Sequence, residues 1–411
     1  MKTLLFLLCT LLTTLHAETD ALTKDAVTQR ITSGIAALNE RYWSPTLCIW
    51  FDRPGDDVRA HYEGRLNPPW WCSANAVEAL LDAMKVTGSR EYQAAVESLY
   101  ALHRDHKNKA PRIIAELQRR KQWSDADAER AKRPAKPVIV DGTEYYTEFR
   151  NEYLDDSGWW ALAWLKMADR THEAKYLATA KAIHAHMAKN WRPEKGGGVM
   201  WCEDADKQVP NAITNQLFGI LSARLFQRTR EPAYLDWAER TLAWIRAKSL
   251  YDGNAIVDGP GHRGDYWNTN QGTYIGLLVA LHQATGRAAF LDEAATFAEG
   301  LLARAGITKP GGVLVEKLGT RGDASLFKGI LVRYLAQLRD VLNAAHSHPE
   351  TARLLDQTIR ASVASMLQHS LAADGTYSAA WHEGATENAR GFNAQVSAIT
   401  ALIGVLPDAQ P

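Results

Sequence analysis

The 411-residue chain has little that would organise it covalently or electrostatically. It carries four cysteines, and Cys9 falls in an N-terminal apolar run, which leaves Cys48, Cys72 and Cys202. Three cysteines cannot make a complete disulfide framework. A Cys48–Cys72 bridge and three free thiols stand as equal readings. No Cys/His spacing suits zinc, and His184 and His186, two residues apart, do not share a helix face. Neither a metal nor a cofactor is expected. Charge of one sign is missing as well, since 47 Lys and Arg balance 47 Asp and Glu. A neutral chain has no electrostatic case for nucleic acid or an anionic membrane surface. Nothing after the N-terminus is apolar enough to span a bilayer. Strand-like alternation is confined to pieces such as Val138–Val140 and Gly312–Glu316, which excludes a β-rich fold.

What is present is a globular composition, 46% hydrophobic, ample for a large core. Met1-Lys2 leads into the apolar stretch Thr3–Leu12, and Leu15-His16-Ala17 supplies a small-residue cleavage site. Residues 1–17 therefore read as a secretory signal peptide, and 18–411 as one secreted or periplasmic domain, expected to be a monomer.

The chain repeats itself. Thr87-Gly-Ser-Arg-Glu-Tyr92, Thr171-His-Glu-Ala-Lys-Tyr176, Thr229-Arg-Glu-Pro-Ala-Tyr234 and Thr285-Gly-Arg-Ala-Ala-Phe290 are one motif used four times. Each closes one amphipathic helix and opens another. Tyr176, Tyr234 and Phe290 read as helix–helix packing. The last three copies are 58 and 56 residues apart, but 84 separate the first two. The surplus matches a charged insertion at about 107–137, read as solvated surface. Periodicity predicts helices near 24–43, 73–87, 90–106, 157–169, 173–190, 211–228, 231–248, 269–285, 288–305, 324–343, 350–369 and 392–405. Six antiparallel hairpins of similar length close into an all-α (α/α)6 barrel, with an open solenoid as the alternative.

The connections are asymmetric. Those into odd-numbered helices are mostly tight turns, whereas those into even-numbered helices are long and chemically rich. If the even helices form an inner ring, these loops meet at one mouth of the barrel, where a rigid scaffold usually presents function. They deliver Trp70, Trp71, Trp159, Trp160, Trp201, Trp267 and Trp381, of which about half should be core, as tryptophan mostly is. In Asn151-Glu-Tyr-Leu-Asp-Asp-Ser-Gly-Trp-Trp160, Asp155 and Asp156 adjoin Trp159 and Trp160. Paired carboxylates perform acid/base and nucleophilic chemistry on glycosidic bonds, and aromatic faces stack on sugar rings. The bland alternative is that one aspartate only caps the following helix.

Leu154-Asp155-Asp156-Ser-Gly-Trp159-Trp160, Asn211-Ala-Ile-Thr-Asn215, Asn270-Gln271-Gly272 and Phe327-Lys328-Gly329, in this order, resemble glycoside hydrolase family 76, the endo-α-1,6-mannanases. One departure is Thr269, where the family usually has tyrosine. The resemblance implies a retaining hydrolase of α-mannan, with Asp155 as nucleophile and Asp156 as general acid/base. Neighbours on a regular helix diverge, so both reach one sugar only if the backbone there is a turn. Trp159, Trp160, Trp267 and Trp71 are candidate sugar platforms. Asp265, Asn270, Gln271, Lys328 and Asn211 are candidate hydroxyl partners. Asn270 and Gln271 could equally serve the start of their helix, and Lys328 could be a surface charge. A transglycosidase of the same fold and an inactive glycan-binding barrel are the rival readings. A sugar epimerase on this barrel would use paired catalytic histidines, against which the aspartate pair speaks.

Overall fold

The computed structural model describes residues 22–45, 47–52, 69–104, 149–264, 266–384 and 389–407, with 118, 124, 139–140 and 143–144. The leader, nearly all of the 107–137 insertion and Asp265 lie outside the described residues. Among the described residues there are twelve α-helices. They are α1 (Lys24–Tyr42), α2 (Trp70–Thr87), α3 (Gln93–His103), α4 (Leu154–Thr171), α5 (Ala174–Lys189) and α6 (Ala212–Thr229). The second half holds α7 (Pro232–Ala247), α8 (Asn268–Thr285), α9 (Ala288–Arg304), α10 (Ala324–Ala344), α11 (Pro349–His369) and α12 (Phe392–Val405). Two short antiparallel ribbons complete the inventory: β1 (Trp43–Ser44) with β2 (Ile49–Trp50), and β3 (Ile139–Val140) with β4 (Thr143–Glu144).

The even-numbered helices pack in sequence and α12 closes on α2, giving a ring. Helices α5, α7, α9 and α11 lie outside their partners, and α1 lies against α12. Tyr100 docks α3 on α5, its hydroxyl 2.8 Å from Thr179 Oγ1. This is the (α/α)6 toroid, and the burial pattern gives its cause. In α8 every residue from Asn268 to Leu281 is buried, because an inner helix meets protein on all sides. In α5 the buried positions, among them Tyr176, Thr179, Ala180, Ile183 and Met187, form one stripe at helical spacing.

The fourfold motif is a C-terminal helix staple. The hydroxyls of Thr87, Thr171, Thr229 and Thr285 each donate to the carbonyl four residues back, at 2.7–3.0 Å. Each also accepts from the amide two residues on, at 3.2–3.3 Å. The intervening residue, Gly88, His172, Arg230 or Gly286, is left-handed, which reverses the chain into the next helix. The three cysteines 48, 72 and 202 are free thiols. No helix among the described residues is long and apolar enough to cross a membrane.

Candidate active site

Two helices begin earlier than their periodicity predicts. Trp70 and Trp71 belong to the first turn of α2, and Asp155 and Asp156 to the first turn of α4. Neither aspartate caps the helix. Tyr153 is the N-cap, with no side-chain cap bond. Nor is a bend required for both to reach one space. The end of α4 itself faces the cleft, so consecutive side chains of the first turn, and Trp159 one turn on, line it together.

The loop before α6 fixes this end. Leu154 N donates to Trp201 O at 2.9 Å and Glu203 N to Glu152 O at 3.0 Å. Trp201 is thereby laid beside Asp155, and its indole Nε1 donates to Asp155 Oδ2 at 3.2 Å. Asp156 has a different donor, Asn151 Nδ2, 2.7 Å from Oδ2. The Asn151 amide cannot turn over without loss, because its Oδ1 accepts from the Ser157 hydroxyl at 3.3 Å.

These carboxylates lie in a cleft of about 890 Å³ at the mouth where the inner-ring helices begin. Its walls are aromatic: Tyr153, Trp201, Trp159, Trp71, Phe327 and Trp267. Trp71 stacks near Trp159, centroids 6.0 Å apart, and Trp267 meets Phe327 edge-on at 5.4 Å. Two further acids line it, Asp258 and Asp323, with Asn211, Thr269, Asn270, Lys195, Lys248 and His262. Burial pushes the Asp155 carboxyl up to about 7, against the first-turn amides and the Trp201 indole, which favour its charged form. Asp156 is raised well above the carboxylate range, first by burial and then by the neighbouring charge of Asp155. Asp323 is also raised by burial.

Of the residues singled out from sequence, Asp155, Asp156, Trp71, Trp159, Trp267, Asn270 and Asn211 line this cleft. Asn211 also caps α6, accepting from Thr214 N at 3.2 Å. Three residues do not line it. Trp160 is fully buried on the far side of α4, packed among Trp70, Phe149 and Trp164. Gln271 is spent on backbone, accepting from Ile256 N and donating to Ile256 O, both at 2.8 Å. Lys328 is neither a surface charge nor a cleft donor. It is 1% exposed, donates to Ala379 O at 2.6 Å and sits 4.4 Å from the centre of the Trp381 ring. Asp258 and Asp323 are absent from the sequence-derived site, whereas Trp201 is among the tryptophans expected at the mouth and lines the cleft. Asp258 stands just ahead of Gly259-Pro-Gly261, at the edge of a loop whose direction a sequence does not give. Among the described residues no His, Cys, Asp and Glu cluster is arranged to hold a metal.

Fold and site together define the class, a six-hairpin α-toroid with an acidic, tryptophan-walled cleft at one mouth. The chain belongs to glycosyl hydrolase family 76, whose family model matches residues 141–410. It is 25% identical over 279 residues to mannan endo-1,6-alpha-mannosidase DCW1 of Saccharomyces cerevisiae, covering 61% of this chain and 59% of that protein. A putative mannan endo-1,6-alpha-mannosidase of Schizosaccharomyces pombe is 24% identical, covering 61% and 62%. The chain thus spans about three-fifths of the length of these relatives. Among solved structures, the GH76A alpha-1,6-mannanase of Salegentibacter sp. HEL1_6 superposes with a TM-score of 0.70 at 20% identity, covering 92% of this chain and 98% of that one. An inactive variant of that enzyme, with two consecutive aspartates changed to asparagine and α-1,6-mannotriose bound, gives 0.71 at 21% identity over the same shares.

Proposed function

We propose that the chain is a glycosidase that hydrolyses α-1,6-mannosidic linkages of mannan with retention of configuration. The observation that carries this reading is that two adjacent carboxylates share one aromatic cleft while each keeps its own donor. The names of the sequence relatives and the mannotriose held by the double-aspartate variant support the substrate class. In this reading Asp155 is the nucleophile and Asp156 the general acid/base. Burial together with the Asp155 charge keeps the proton on Asp156, which suits the acid.

The ionised Asp155 attacks the anomeric carbon as the glycosidic C–O bond breaks, and the Asp156 proton passes to the departing oxygen. Water then attacks the mannosyl–Asp155 ester. Asp156 takes the water's proton, and Asp155 leaves as a carboxylate. Trp71, Trp159 and Trp267 serve as sugar platforms, and Asp258, Asn270 and Asn211 as hydroxyl partners. The leader-like N-terminus supports export, and the chain acts as a monomer.

Asp155→Asn is expected to abolish hydrolysis of linear α-1,6-mannan. Asp156→Asn should lower kcat/KM on mannan roughly 10²–10⁴-fold, yet spare dinitrophenyl mannosides, whose leaving group needs little protonation. Equal loss on both substrates removes the acid role. NMR of the first-formed sugar should show the α anomer, and a β product means inversion.

A further inference from the structure

The first turn of α8 lines the same cleft as Asp155 and is tied to it through Asp258, whose charge acts on Asp155 and whose carboxylate holds Asn270, and two side chains of this turn are unusual. Thr269 and Asn270 both line the cleft, are 5% and 1% exposed, and keep a polar atom, Oγ1 and Oδ1 respectively, with no hydrogen-bond partner. Such groups are costly to leave unmade and are normally satisfied. The Asn270 amide is fixed in sense. Its Nδ2 donates to Asp258 Oδ1 at 2.9 Å, and a carboxylate can only accept, so the amide oxygen is the end left over. Asp155 Oδ1 is likewise buried and unpartnered. The corner therefore offers acceptors, Asp258, Asn270 Oδ1 and Asp155 Oδ1, with one hydroxyl, that of Thr269.

We infer that Thr269 and Asn270 form a specificity-determining notch that takes a free ring hydroxyl of the sugar beside the aspartate pair. The inference rests on the mannan reading. The sugar hydroxyl donates to Asn270 Oδ1, and the Thr269 hydroxyl bonds the same group. An acceptor-rich corner discriminates by what the ligand can donate. A deoxy, methylated or acylated position leaves buried acceptors unpaired and is rejected far more strongly than its lost volume implies. Thr269 also decides the room available, since a larger ring at this position would fill the notch.

Hydrolysis of an aryl α-1,6-mannobioside and its 2-, 3- and 4-deoxy analogues, modified on the ring at the cleavage point, tests this. The proteins are wild type, Thr269→Val and Thr269→Ser, each first shown by thermal melting to be folded. On the parent substrate Thr269→Val should lose roughly 10–100-fold in kcat/KM, the loss of one bond in a buried site, and Thr269→Ser should recover most of it. On one deoxy analogue wild type and Thr269→Val should be equal. A Thr269→Val loss of the same size on every analogue, or no loss at all, overturns the notch while the mannan reading stands. No hydrolysis of parent or polymer by wild type overturns both.

Discussion

Asp155 carries opposing influences that set when the site can work. Burial raises its pKa to about 7, while the Trp201 indole and the first-turn amides pull it down. Its ionised form is the nucleophile, so kcat/KM should rise with pH through a limb near 7 and fall again where Asp156 loses its proton. Both limbs belong to the pair and not to single residues. Trp201→Phe removes a donor to the charged form, so the acid limb should move to higher pH. A limb that stays put denies Trp201 this role. Stability is linked to the same groups. A carboxyl whose folded pKa lies above its unfolded value near 3.8 binds a proton in the fold that the open chain releases, and stability therefore falls as pH rises from about 4 past 7. Asp156→Asn, uncharged at any pH, should raise the melting temperature more at pH 8 than at pH 4, which calorimetry at the two pH values measures. At this scale the sequence was legible where residue type limited the chemistry, as in the Asp155–Asp156 pair. It was silent on direction. Trp159 and Trp160 are adjacent and chemically identical, but one turns to the cleft and the other to the core.

At the scale of elements, the threonine staple ties the reading of the chain to its energetics. Removing the hydroxyl in Thr229→Val deletes its bonds to the Leu225 carbonyl and the Glu231 amide at once, and should cost about 1 kcal/mol in denaturant unfolding. At His172 the left-handed backbone carries a side chain that disfavours it. His172→Gly relieves that strain at an exposed position and should stabilise by about 0.5–1 kcal/mol. Gly329, which follows Phe327 and Lys328, belongs to the fold and not to the site. A Cβ there would lie 2.6 Å from Ser397 Cα and O, where α10 and α12 touch. The twelve helices were legible because outer stripes and inner apolar runs both break at these staples. Periodicity places the starts of α2 and α4 three residues late. Pro-Pro-Trp-Trp and Tyr-Leu-Asp-Asp hold no capping side chain, so the first turn looks like loop.

At the scale of the whole molecule, a buried charge cluster joins three inner helices of the ring. Glu78 of α2 meets Arg333 of α10 at 3.3 Å and Lys166 of α4 at 3.0 Å, and Arg333 also donates to Asn75 Oδ1 at 2.9 Å. Burial alone would raise the Glu78 carboxyl, but Arg333, Lys166 and Arg224 together overcome it and hold it at about 2. Its contribution to stability is present above the unfolded value near 4.5 and lost as pH falls toward 2. None of this is visible along the chain, because the three partners lie far apart in sequence and only ring closure brings them together. Single and paired replacements should differ sharply. Arg333→Met takes away the strongest of the cations that hold Glu78 ionised and should cost about 3 kcal/mol. Adding Glu78→Met removes that carboxylate, so the double variant should recover most of that loss in urea unfolding. A double variant less stable than Arg333→Met by the full effect of Glu78→Met would mean that the two side chains act independently, and that ring closure depends on apolar packing between the inner helices rather than on this pair.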